Sequence, residues 1–247
     1  MRIIAHRGAS RAEPENTAAA FDAALADGAD GIELDLQLSR DGEVVVFHDA
    51  TLARLGLRRA RIRDHDWLDL ASLDVGRWFT GQATSHRMLR LADVLAGWGG
   101  RTHLYLEIKH AEGWWGRDRH RELAERTAET VRAAGLIEHV SILSFHGAAL
   151  DAVHALVPTL ALVRNVQQPG LLASAVRQRA RLAAICVAID RFGERQRARL
   201  AALDRPVYVY TCDTPSQFQR ARVLGATAVI SNNPAAARRW FEAEAPA

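Results

Sequence analysis

Lysine is almost absent from this sequence: among 32 basic residues only Lys109 is a lysine, and every other one is arginine. GC-rich codon usage accounts for most of such a bias, but not for the one lysine that survives it. A compact ammonium can do at close quarters what the planar guanidinium cannot, which singles out Lys109 for a specific job. Cysteine is nearly as scarce. Cys186 and Cys212 both lie in apolar runs and form no CxxC spacing, which argues against a thiolate metal or redox site and suits a reducing compartment. Aromatic residues make up 6% of the chain, so the core implied by a hydrophobic fraction of 49% must be mostly Ala, Leu, Val and Ile. No apolar run approaches transmembrane length, and the N-terminus enters a strand-like segment with no signal-type apolar stretch before it. The expectation is a cytoplasmic protein without stable membrane insertion. No internal repeat, low-complexity segment or nucleic-acid-binding motif is present, and the net charge of +3 is scattered. The mildly basic balance, with a pI near 9.3, favours steering of anionic small molecules over a nucleic-acid partner.

What the sequence does contain is alternation. Strand-like runs at Arg2 to Ala5, Gly31 to Leu36, Glu43 to Phe47, Leu104 to Ile108, Val140 to Ser144, Thr159 to Val163, Ala184 to Ile189, Val207 to Tyr210 and Ala228 to Ile230 are separated mostly by helical stretches. Among the helices, Asn16 to Asp27 is amphipathic, and a long one is expected from about Arg119 to Ala134, stopped at Gly135. This pattern, in 247 residues, predicts an α/β fold, a (β/α)8 TIM barrel forming one domain over residues 1 to 247. Residues 51 to 86 do not fit a βα unit and are expected to form a small insertion packed over one end of the barrel. A doubly wound open sheet is the alternative, weakened because no Gly-rich phosphate loop follows the first strand.

In such a barrel, chemistry sits at the C-terminal ends of the strands. The first strand ends in His6-Arg7-Gly8. The second ends with Glu33 and Asp35, which share one face because they are two residues apart. Glu107 and Lys109 repeat that spacing, and His48-Asp49 ends the extra strand after the Asp41-Gly42 turn. Three converging carboxylates, Glu33, Asp35 and Glu107, make a hard-oxygen site suited to Mg²⁺, Ca²⁺ or Mn²⁺ rather than Zn²⁺. The bland alternative is a set of salt bridges to Arg7 and Lys109. His6 and His48 are the natural acid–base pair, Arg7 can fork onto phosphate oxygens, and Lys109 can place a point charge on a developing oxyanion.

The ordered motifs His6-Arg7-Gly8, Pro14-Glu15-Asn16-Thr17, Ala20-Phe21, Gly28-Ala29, Ile32-Glu33-Leu34-Asp35, Asp41-Gly42, Val45 to Asp49 and Leu106-Glu107-Ile108-Lys109 resemble the glycerophosphodiester phosphodiesterase family. Weaker matches continue at Ser144-Phe145, Pro158, Tyr210-Thr211 and Ile230 to Pro234. The resemblance implies a (β/α)8 barrel with a small insertion after the second strand. It implies a metal on Glu33, Asp35 and Glu107, acid–base roles for His6 and His48, and phosphate contacts from Arg7 and Lys109. It also implies a small-molecule glycerophosphodiester substrate, cleaved to glycerol 3-phosphate and an alcohol. Three departures bear on substrate preference. Ser231-Asn232-Asn233-Pro234 stands where the family usually has T-D-x-P, Tyr210 where many members have Trp, and Met88-Leu89-Arg90-Leu91 where I-P-T-L is usual. Tyr210 and the Trp114-Trp115 pair are candidate substrate contacts. Other readings are a lysophospholipase D-like activity on single-chain lipids and a non-catalytic barrel that binds metal or phosphate. Retention of both His6 and His48 disfavours the last.

Overall fold

The computed structural model describes residues 1–109 and 116–243. Its strands are β1 (Arg2–His6), β2 (Gly31–Leu38), β3 (Val44–Val46), β4 (Leu89–Arg90), β5 (His103–Ile108), β6 (Val140–Ser144), β7 (Ala161–Val166), β8 (Ala184–Ala188), β9 (Val207–Tyr210) and β10 (Ala228–Ser231). Parallel pairing runs from β1 to β2, on through β5 to β10 in order, and back to β1, closing a barrel of eight strands. A helix follows each barrel strand before the next begins, the last being Pro234–Glu242. β3 and β4 extend β2 outward as antiparallel neighbours. This is the expected (β/α)8 architecture. No helix among the described residues is long and apolar enough to cross a membrane.

Alternation along each strand divides the core in two. Ile4, Tyr105, Leu143, Val163, Cys186, Tyr208 and Ile230 fill the barrel. The intervening residues, such as Leu34, Leu106, Ile142 and Val187, pack outward against helix residues including Leu150, Val153, Leu200 and Phe218. Two glycines mark close approaches. A Cβ on Gly31 would lie 2.6 Å from the Tyr105 ring, which crosses the barrel at that level. Gly8, just past β1, has φ +83 and its Cβ would lie 2.6 Å from the backbone of Ala20. Only glycine allows that turn to press against the first helix and aim Arg7 back over the mouth.

Several boundaries differ from the sequence reading. The first helix is Ala18–Ala26, with Thr17 as its N-cap. Asn16 is excluded because it adopts φ 60 and uses its side chain on Asp35 instead. β7 starts two residues later than expected and ends later, at Val166, so that the polar Arg164 and Asn165 belong to the strand. The long helix begins at Gly116 rather than Arg119. Between β3 and β4, short helical turns gather on a small core of Val45, Phe47, Leu52, Ile62, Leu70, Val75 and Met88. Arg54 in this segment reaches Asp49 and Glu15 at the barrel mouth.

Candidate functional site

Strand register brings the predicted residues together. β1 pairs with β2 so that His6 lies beside Glu33, and β2 pairs with β5 so that Asp35 lies beside Glu107. Inward parity then carries all four side chains, with Lys109, to the C-terminal end of the barrel. Glu33, Asp35 and Glu107 each offer an oxygen, and the three atoms lie within 4.8 Å of one another. All three residues are buried, at 2%, 1% and 8% exposure.

Both halves of the sequence reading are present at once, a carboxylate cluster and salt bridges into it. Asp35 is paired with Arg7 at 3.0 Å and with Lys109 at 3.2 Å, and Lys109 donates to Glu107 at 2.7 Å. Arg7 also pairs with Glu15 at 3.0 Å, while Arg54 binds Glu15 at 2.6 Å and Asp49 at 2.9 Å. The ion pairs leave the network unbalanced. With all of them ionised, five carboxylates (Glu15, Glu33, Asp35, Asp49 and Glu107) face three cations (Arg7, Arg54 and Lys109), a formal excess of two negative charges. A single divalent cation would neutralise it.

The titration behaviour agrees. Among the described residues, Glu33 receives only the Arg7 backbone N–H at 3.2 Å and a distant His6 at 3.9 Å. Burial, then the charges of Asp35 and Glu107, push its carboxyl well above the usual range. Burial also raises Glu107. For Asp35, burial acts upward but Arg7 and Lys109 together outweigh it and hold the carboxyl low. Asp35 Oδ1 is buried and faces Lys109 Nζ at 3.2 Å without an aligned hydrogen bond among the described residues. An all-oxygen donor set and a formal two-charge excess fit a hard divalent ion.

His6 and His48 line different cavities beside this cluster. His6, with Glu33, Glu107, Asn165, Cys186 and Tyr210, lines a narrow floor. Burial and the Arg7 charge lower its pKa to about 4. His48 lines a cleft of about 440 Å³, which shares Glu107 and Asn165 with that floor and also exposes Lys109. Its Nδ1 lies 2.7 Å from Asp49, whose carboxylate Arg54 grips through two hydrogen bonds. Tyr210 stands edge-on to Phe145 at 6.0 Å, and its hydroxyl is buried without a hydrogen bond among the described residues. Trp114 and Trp115, the other candidate substrate contacts, lie outside the described residues.

Sequence reasoning gave no role to Glu15, Asn16, Arg54 or Asn165. Asn16 holds Asp35 through a side-chain bond of 2.9 Å and a backbone bond of 3.3 Å, and Asn165 donates to Glu107 at 3.0 Å. One signal was available for Asn165: a polar residue near the end of an apolar strand, in inward phase. Nothing local marks Arg54.

The sole lysine therefore lies between two buried carboxylates, its pKa kept high by Asp35 and Glu107 against the opposing effect of burial. Lys109→Arg preserves charge but places a flat, five-donor group in a space shaped for an ammonium. We expect kcat/KM to fall about 10- to 100-fold, a shift of roughly 1.4 to 2.8 kcal/mol. Unchanged steady-state kinetics in this variant would return Lys109 to an accident of codon history.

The chain is also similar to known proteins. The family model for the glycerophosphoryl diester phosphodiesterase family matches residues 6–236. A probable glycerophosphodiester phosphodiesterase 1 of Mycobacterium tuberculosis is 27% identical over 252 residues, covering 97% of this chain and 92% of its own. Among solved structures, a putative glycerophosphoryl diester phosphodiesterase from Silicibacter pomeroyi superposes with a TM-score of 0.85 at 24% identity, over 98% of this chain and 93% of that one. A phosphodiesterase of Oleispira antarctica, solved in complex with the product sn-glycerol-3-phosphate, superposes with a TM-score of 0.82 at 26% identity, over 98% and 97%. With its barrel closed, its acidic cluster assembled and the family model matched across nearly all of it, the chain belongs to the glycerophosphoryl diester phosphodiesterase family.

Proposed function

We propose that this phosphodiesterase hydrolyses glycerophosphodiesters to sn-glycerol 3-phosphate and an alcohol, with His6 and His48 moving the protons and Glu33, Asp35 and Glu107 holding Mg²⁺, Ca²⁺ or Mn²⁺. The observation that carries this reading is the buried carboxylate cluster with two charges in excess, flanked by both histidines, Arg7 and Lys109. The product complex of the Oleispira antarctica relative supports the glycerol 3-phosphate half. An ion held by Glu33, Asp35 and Glu107 would supply Lewis-acid polarisation of the phosphate. Arg7 and Lys109 orient the phosphate and offset charge that grows on its oxygens. Tyr210 and Phe145 offer apolar faces beside the floor and cleft for the carbon skeletons.

In the proposed sequence the nucleophile is the glycerol hydroxyl adjacent to the phosphoester, which benefits from high effective molarity. One histidine takes its proton as the new O–P bond forms. The other protonates the departing alcohol oxygen as the old O–P bond breaks. The resulting cyclic phosphate is opened by water with the histidine roles reversed. The test is a panel of glycerophosphocholine, glycerophosphoethanolamine, glycerophosphoglycerol, a lysophospholipid and a deoxy analogue lacking that hydroxyl, with products identified. We expect glycerol 3-phosphate from the intact diesters and turnover of the deoxy analogue slower by at least about 10³-fold. Rapid hydrolysis of the deoxy analogue would make water the nucleophile. Turnover confined to the lysophospholipid would support the lysophospholipase D-like reading instead.

A further inference from the structure

His6 is held from behind by a hydrogen-bonded pair that no step above uses. Its Nδ1 lies 2.6 Å from Oδ1 of Asn232, the residue immediately after β10. The same oxygen accepts from Ser10 Oγ at 2.9 Å. On the other side of the amide, Asn232 Nδ2 donates to Asp213 Oδ2 at 2.5 Å. Asp213 is itself anchored, its Oδ1 accepting from the Asn232 backbone N–H at 2.8 Å and from Ser231 Oγ at 3.0 Å.

This arrangement fixes which way the amide faces. Turning Asn232 over would set its carbonyl oxygen against the Asp213 carboxylate and its NH₂ against His6, losing the acceptor that Ser10 uses. With the oxygen toward His6, Nδ1 must be the donor. Nε2 is then the ring's acceptor end, and it faces Glu33 Oε2 at 3.9 Å. We propose that Asp213 and Asn232 form a positioning relay that holds His6 as the Nδ1–H tautomer with the Nε2 lone pair directed at the carboxylate cluster. In the reaction this directs Nε2 to receive the proton of the attacking hydroxyl.

The relay also explains the amide at position 232, where the resembling family usually has Asp. A carboxylate there would lie against Asp213 at the present 2.5 Å separation, and two like charges that close cannot both ionise. An amide accepts from the imidazole at one end and donates to the carboxylate at the other. The charge remains in the relay, displaced by one residue away from the ring.

The inference rests on His6 acting as a proton carrier, and its test separates the two. In metal-free, folded protein, ¹⁵N NMR of His6 should show a protonated Nδ1 and an unprotonated Nε2. Asn232→Leu should shift His6 toward the other tautomer and lower kcat about 10- to 100-fold with KM nearly unchanged, as loss of a histidine-orienting partner does elsewhere. Asp213→Asn, which keeps size and hydrogen bonding, should also lower kcat by freeing the amide to turn. The exchange Asp213→Asn with Asn232→Asp restores one amide and one carboxylate in contact, and should recover kcat relative to Asn232→Asp alone. An Nε2–H signature in the wild-type protein, or wild-type kcat in both Asn232→Leu and Asp213→Asn, would overturn the relay. Full activity in His6→Ala would instead overturn the catalytic reading while leaving the tautomer measurement to stand or fall separately.

Discussion

Glu33→Gln, Asp35→Asn and Glu107→Gln should each reduce turnover by at least about 10³-fold, and EDTA should do the same to the unmodified protein. The scale follows from the several kcal/mol of charge stabilisation that a metal contributes in the transition state. Stability should move the other way. Glu33 is buried beside Asp35 and Glu107 with no cationic side chain among the described residues bound to it closely, so its ionised form strains the metal-free protein. Removing that charge in Glu33→Gln should raise the metal-free Tm, while the rise in Tm on adding Mg²⁺, Ca²⁺ or Mn²⁺ should shrink or vanish. A pH dependence accompanies it. Glu33 titrates above its ordinary value of 4.5 in the folded state, so between that value and its folded pKa the native protein binds more protons than the unfolded chain. Over that range stability falls as pH rises, and the slope should be absent in Glu33→Gln. Full activity in rigorously metal-free protein, or a Glu33→Gln variant with unchanged metal response, would show that Arg7 and Lys109 alone neutralise the cluster.

His6→Ala and His48→Ala should each lower kcat by about 10²- to 10⁴-fold with much smaller changes in KM, because proton transfer contributes mainly in the transition state. The two variants should differ in their side effects. His48 leans on Asp49, which is held independently by Arg54, so His48→Ala leaves that rim intact. His6→Ala deprives Asn232 Oδ1 of its partner within the floor, with Ser10 still donating to it, and should cost slightly more stability. Near wild-type kcat in either variant, measured with saturating metal and substrate, would reassign that histidine to a structural role.

Most of the barrel and the first tier of the site could be read without coordinates, because the relevant physics is local. A strand has a period of two, so Glu33 with Asp35, and Glu107 with Lys109, had to share faces wherever those strands lay. Strand–helix alternation implied a parallel sheet, and the barrel rule then located chemistry at the strand ends. The errors were also local in origin. The sequence reading includes Asn16 in the helix, but Thr17 caps that helix and Asn16, at φ 60, turns its side chain to Asp35. Arg164 and Asn165 fall outside the expected strand, which ends at Val163, whereas both belong to it and are buried around the site.

By itself, then, the sequence determined the strand and helix pattern, the inward face of the strands that carry the candidate site, and a set of carboxylate and imidazole groups at their C-terminal ends. Tertiary structure decided which of those groups touch. Closure of β10 onto β1 brings Asn232 to His6 across 226 positions of chain, and Asp213 arrives with it from the end of β9. The segment between β3 and β4 delivers Arg54 to Asp49 and Glu15, which converts scattered charges into a network two negative charges in excess. The physical reason is that periodicity acts over a few residues, whereas strand neighbours and register are set by global closure and packing of the barrel, for which no short-range pattern encodes the partner.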